Sequence, residues 1–312
     1  WENEATVEAF KNYCQYVTEQ LGDLMHYVCT INEANMGIQV AAISARYRAQ
    51  MMAKMQRMQQ GGAEEKKDLE GTAQVGMNFN DMMANMQKQK EENVEIFGTD
   101  TLQTFVSART PEGDMLVIRA HQAARAAMKA VKPELQIGLT LSLHDIQAQE
   151  GGEETAAKEW VDEFTHYVPY IKEDDFFGLQ NYSRSLIGPN GILPVPEGAE
   201  ITQMDYEYYP EGLEHVIRRV YEEMPMPIMV TENGIATADD TRRVAYIQTA
   251  MKGVENCIQD GIPVKGYMYW SMMDNFEWQK GFGMTFGLIS VDRTTQTRTA
   301  KPSLTVLGNY TK

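Results

Sequence analysis

Two glutamates in this chain each stand beside an asparagine and straight after an apolar run: Glu33 in TINEAN and Glu232 in VTENGI. The run before Glu232, PIMV, has the length and character of a short buried strand, and Asn233-Gly234 breaks it with a turn signal. A charge at the end of a buried strand is costly unless something uses or neutralises it. Two opposed carboxylates suit glycosidic-bond cleavage. One protonates the departing oxygen, and the other attacks, or activates water at, the anomeric carbon. Each glutamate equally fits a plainer role as a capping or ion-paired residue near a helix start, and spacing alone does not separate the two.

The elements that must position them follow from periodicity. Val7, Phe10, Tyr13, Cys14 and Val17 recur at helical spacing and the pattern stops at Gly22. MHYVCTIN then reads as a strand ending in Asn32-Glu33. Further on, apolar strands near 136–143, 175–182, 227–232 and 264–271 alternate with amphipathic helices such as GLEHVIRRVYEEM. That alternation predicts βα units and a parallel sheet. Polar and aromatic residues collect at the strand ends: Asn32-Glu33, Gln180-Asn181-Tyr182, Glu232-Asn233 and Trp270-Ser271. Function spread over several strand ends favours a barrel, whose active face lies there, over a doubly wound sheet with one switch point. The stretch from 36 to 112 breaks the pattern. It carries Met51, Met52, Met55 and Met58 at helical spacing, a Gly- and charge-rich connector, and a second Met-bearing helix from about Asn80 to Ile96. A packing helix with a Met stripe is the expectation there, with a pliable hairpin shaping a leaving-group site as the alternative.

Near the C-terminus, YWSMMDNFEWQKGFGMTFGLISVDR concentrates Trp270, Glu277, Trp278 and Phe286. Aromatic faces stack on sugar rings and a carboxylate accepts two hydroxyls at once, although an aromatic core cluster is the commoner use of such residues. Its glycines lack the spacing and the strand-to-helix context of a dinucleotide site. The 312 residues are 43% apolar and 23% charged, enough to bury a sizeable core. A net charge of −16 argues against nucleic acid and anionic membrane surfaces. No apolar run reaches the roughly 18 residues of a membrane span. Cys14, Cys29 and Cys257 are scattered and odd in number, which suits a reducing, cytoplasmic setting; nothing marks a metal or cofactor site.

The segments TINEAN, GLQNYS, VTENG and above all YWSMMDNFEWQKGFGMTFGLISVDRTTQTRTAKPS resemble the family 1 glycoside hydrolases, the retaining β-glucosidases and their relatives. The resemblance covers roughly residues 1–35 and 113–312. It implies an α/β fold of the (β/α)8 TIM-barrel type. It makes Glu33 the general acid/base, Glu232 the nucleophile, Asn32 the ligand of the sugar 2-hydroxyl and Tyr182 the partner of the nucleophile. It gives Trp270, Glu277, Trp278 and Phe286 to the glycosyl pocket. An acidic Glu277 suits free hydroxyls and repels a 6-phosphate, so the resemblance favours release of glucose, or a related unphosphorylated sugar, from β-glucosides or cello-oligosaccharides. A 6-phospho-β-glucosidase, a β-galactosidase and a non-catalytic sugar-binding or inactive barrel fragment are the alternatives.

The departures are Ala34 in place of the family's proline, Gln180 in place of its asparagine, and the Met-rich insertion. A complete member has eight strands; the five readable here correspond to βα units 4–8, without the glutamine, arginine and His-Trp pair of the first three. The expectation is one partial TIM-barrel domain over 1–312, with its insertion at about 36–112, built on an open five-stranded sheet. A homo-oligomer or a complementary N-terminal barrel segment would be its partner.

Overall fold

The structure, a computed structural model, describes residues 1–43, 45, 79–100, 102, 107–278 and 280–311. Five parallel strands form the central sheet: β1 (Tyr27–Cys29), β2 (Gln136–Ser142), β3 (Phe176–Gln180), β4 (Ile228–Asn233) and β5 (Val264–Tyr269). They pair strictly in chain order. Val28 lies opposite Ile137, Thr140 opposite Gly178, Leu179 opposite Val230, and Val230 opposite Tyr267. This is the predicted open five-stranded sheet, curled as part of a barrel.

Helices connect the strands as the periodicity requires. α1 (Ala5–Leu21) precedes β1 and lies along α3 (Pro111–Val131), the crossover into β2. Between them in the chain is α2 (Phe79–Phe97), the second helix of the insertion; the Met51–Met58 stripe falls outside the described residues. α4 (Glu153–Trp160) leads to β3, α5 (Gly212–Glu223) to β4 and α6 (Asp240–Gln259) to β5. Local chemistry starts two of them. Thr110 accepts the Gly113 N–H at 3.0 Å with Pro111 in the first turn, and Asp239 accepts the Thr241 N–H at 2.9 Å.

Period-two alternation sorts the strand side chains. Leu139 and Leu141 of β2 with Leu143 just after it, Phe177 and Leu179 of β3, and Ile228 and Val230 of β4 join the buried cluster with Val216, Ile217, Tyr246 and Ala250 from the helices. Gly138, Thr140, Ser142, Gly178 and Gln180 take the opposite face. Every residue of β3 is buried, as expected of a central parallel strand, whereas β1 and β5 at the margins are more open.

Three features escape the periodicity. AAKEWVDEFTHYV (156–168), a helix by its apolar spacing, is α only to Trp160 and continues as a π turn, Val161–Thr165, where the Glu163 carbonyl accepts from the Asn35 side chain. Asp145–Ala148, Arg184–Gly188 and Gly191–Ile192 form a small sheet turning at Pro189-Asn190, and Ile289–Val291 pairs with Arg298–Ala300. Such short, two-to-five-residue strands carry too few alternations to register as a pattern.

The sheet's inner face leaves no room at Gly138 and Gly178. A Cβ on Gly138 would stand 2.3 Å from the Phe176 carbonyl oxygen, while one on Gly266 would meet nothing nearer than 3.7 Å. Gly138→Ala is therefore expected to cost about 2–3 kcal/mol in urea unfolding and Gly266→Ala to stay within about 0.5 kcal/mol of the parent. An unchanged midpoint for Gly138→Ala would show that β2 and β3 are not drawn together as described.

Candidate active site

Parallel strands end on one side, and there the structure gathers the two glutamates. Asn32 and Glu33 follow β1, while Glu232 is the fifth residue of β4. Glu33 adopts a left-handed backbone with φ of 46°, an uncommon state for a residue with a side chain. Its own N–H is held by the Thr140 hydroxyl at 2.8 Å and the next N–H, of Ala34, by the Thr140 carbonyl at 3.0 Å. Asn35 completes the anchor. Its amide donates to the Ser142 carbonyl at 2.7 Å and accepts the Ser142 N–H at 3.0 Å. The turn after β1 is thus riveted to β2.

Glu232 receives two donors. The Tyr182 hydroxyl reaches Oε2 at 2.5 Å, and the Asn32 amide hydrogen-bonds the same carboxylate. Asn32 is itself oriented, since its Oδ1 accepts from Gln180 Nε2 at 2.7 Å and from the Thr140 hydroxyl at 3.2 Å. Tyr182 is braced by rings, with Phe286 at 6.2 Å and Tyr206 at 6.5 Å between centroids. Gln203 ties the loops carrying them. Its Oε1 accepts the N–H and hydroxyl of Thr285 at 3.0 and 2.8 Å, and its N–H donates to the Ala236 carbonyl at 3.0 Å.

The carboxylates differ electrostatically. Burial, reinforced by the charges of Glu232 and Glu277, pushes Glu33 up to about 7; His144 and the Ser142 hydroxyl oppose this. Burial also raises Glu232, but the hydrogen bonds from Tyr182 and Asn32 pull it back. Glu277 is raised by burial and by Glu232, and is held down by the Trp270 indole N–H. Near neutral pH one carboxyl can therefore carry a proton while its neighbour stays ionised. The concentration of negative charge suits a neutral substrate that develops positive charge as it reacts.

The structure brings together Glu33, Glu232, Asn32, Tyr182, Trp270, Glu277 and Phe286. Trp278, close in sequence to the Phe276–Phe282 edge-to-face pair, is 74% exposed. Thr140, Ser142, Gln203 and Tyr206 are the members that sequence reading passes over. Thr140 and Ser142 could have been found from alternation, two residues apart on the side of β2 away from its leucines. The others carry no local signal. Among the described residues, no group of three His, Cys, Asp or Glu side chains could hold a metal ion, and no helix is long and apolar enough to cross a membrane.

Comparisons with known proteins bear on the family and the fold. The family described as glycosyl hydrolase family 1 matches residues 1–310. A 1,4-β-D-glucan glucohydrolase of Thermotoga neapolitana is 37% identical over 147 residues, covering 42% of this chain and 33% of that protein. The chain thus matches about a third of that relative's length. Among solved structures, the apo β-glucosidase 1317 superposes with a TM-score of 0.80 at 34% identity, covering 99% of this chain and 68% of that one. The β-glycosidase BGL167 gives a TM-score of 0.77 at 40% identity, covering 99% of this chain and 67% of that one.

The coupling between the carboxylates has a direct consequence. Glu232→Gln removes a negative charge that holds the proton on Glu33, so Glu33 is expected to titrate lower, from about 7 toward the ordinary carboxyl range. Carbon-13 carboxyl titration by NMR reads this without any turnover. An unmoved Glu33 would show that the two do not interact.

Proposed function

We propose that this chain, which belongs to glycosyl hydrolase family 1, hydrolyses β-glycosidic bonds with retention, through Glu232 as nucleophile and Glu33 as acid/base. The observation carrying the proposal is the electrostatic division of the pair: one carboxyl pushed up to about 7, the other held by Tyr182 and Asn32. Glu33 protonates the departing oxygen while Glu232 attacks the anomeric carbon. Loss of the Glu232 charge on esterification then lowers the proton affinity of Glu33. That frees Glu33 to deprotonate the water that releases the sugar.

The substrate we propose is an unphosphorylated β-glucoside or cello-oligosaccharide. Glu277, fixed by Trp270 and coupled to Glu232, offers a carboxylate to sugar hydroxyls and would repel a phosphate. In this reading Asn32, which hydrogen-bonds Glu232, would meet the hydroxyl beside the anomeric carbon, Phe286 would give an apolar face to the ring, and the exposed Trp278 would line its approach. β-Galactosides and 6-phosphoglycosides are the competing substrates within the family. Three free thiols, Cys14, Cys29 and Cys257, favour a reducing, cytoplasmic setting. Among the described residues, β1 pairs only with β2 and β5 only with β4. These two margins are where a complementary barrel segment would add its strands, or where a second copy would pack.

A panel of nitrophenyl glycosides ranks the sugars, with the β-glucoside expected first. Glu232→Gly should lower turnover by at least about 10⁴-fold, in the range seen when a nucleophile is removed. Azide should restore it and yield the α-glycosyl azide, because it enters the face vacated by the carboxylate. A β-azide, or undiminished turnover, would remove Glu232 from the role of nucleophile.

A further inference from the structure

Gln180 occupies the last position of β3, opposite Ser142 on β2 and Glu232 on β4, and is fully buried. One end of its amide does visible work: Nε2 donates to Asn32 Oδ1 at 2.7 Å. The other end, Oε1, is buried with no partner. A buried acceptor left unpaired is costly, and Met or Leu would fill similar space without that cost. What glutamine adds is the donor. The Asn32 amide has two ways to lie. As observed, its oxygen receives Gln180 and the Thr140 hydroxyl, and its NH2 is left for Glu232. Reversed, its NH2 would face the Gln180 NH2 and its oxygen would face the Glu232 anion, two repulsive contacts.

We propose that Gln180 is a positioning residue that locks the polarity of Asn32, so that Asn32 offers N–H groups to the nucleophile and to the substrate hydroxyl beside the anomeric carbon. The inference rests on the hydrolase reading for its substrate half only; its Glu232 half rests on the hydrogen bonds made by the two ends of the Asn32 amide. A hydrogen bond to that hydroxyl strengthens as the ring approaches its oxocarbenium-like state. Orientation of Asn32 therefore acts on the barrier as well as on binding.

The test replaces the donor and keeps the length, in the full chain, as Gln180→Met. Carboxyl NMR titration should place Glu232 higher in the variant, with Glu33, Glu277 and Tyr182 being the other titratable groups that face it. With the 4-nitrophenyl β-glucoside and its 2-deoxy analogue, the preference for the 2-hydroxyl should fall by about tenfold or more, the usual worth of a hydrogen bond to a charged or developing-charge partner. The loss should vanish when Gln180→Met is made on Asn32→Ala. If Gln180→Met does not fold, Gln180→Leu, which also lacks the donor, should lose the same preference. Equal losses on both substrates together with an unmoved Glu232 would overturn the proposal. If the parent chain hydrolyses neither glycoside, the hydrolase reading fails, and the Glu232 titration still decides whether Gln180 orients Asn32.

Discussion

A carboxylate kept charged at the end of a buried strand is the constraint around which this site is built. Glu232 is ionised only to the extent that donors replace the water it has lost. The protein supplies two, Tyr182 and Asn32, and then spends much of its local structure holding them still. Phe286 and Tyr206 flank the Tyr182 ring, and Gln180 and Thr140 hold the Asn32 carbonyl. Thr140 does double duty, because the same hydroxyl accepts the Glu33 N–H that fixes the turn carrying the second carboxyl. The two glutamates are thus linked through the protein as well as through their charges.

Support extends outward to the C-terminal part of the chain. Arg243, fully buried on α6, donates to the carbonyls of Thr237 and Thr285, which lie beyond β4 and β5. Asp240, one turn earlier, bonds Arg243 and also the N–H and hydroxyl of Ser303, at the start of the helix Pro302–Gly308. Lys301 binds both oxygens of Asp274 and the Gly287 carbonyl. Charge paired in this way holds the loop of Phe286 in one place, although such pairs contribute little net stability.

The parts of this arrangement legible in the sequence are those with local signals. Five strands and their helices follow from periodicities of 2 and 3.6, and parallel pairing follows from their alternation. Glu33 and Glu232 stand out because charge ends an apolar run. What was not legible depends on contacts between distant residues. The Gln180–Asn32 bond joins positions 148 apart, and in the sequence Gln180 is only a departure from a motif. The π turn at Val161–Thr165 carries a carbonyl bonded to Asn35, a partner that no window around residue 163 contains. Trp278 shows the reverse. Its motif suggests a pocket wall, while its side chain is largely in solvent.

Strict chain-order pairing of the strands has a consequence for how such a protein can be divided and inherited. Each strand pairs only with its predecessor and successor, so the hydrogen bonds of the sheet itself are local to successive units. Glu33 lies after β1 and Glu232 in β4, with β2 supplying Thr140 and β3 supplying Gln180 between them. No run of fewer than four successive units holds both carboxylates and the groups that orient them. The chemistry is therefore indivisible over a stretch where the architecture is modular, and shuffling among relatives can exchange the units outside that block far more freely than those within it.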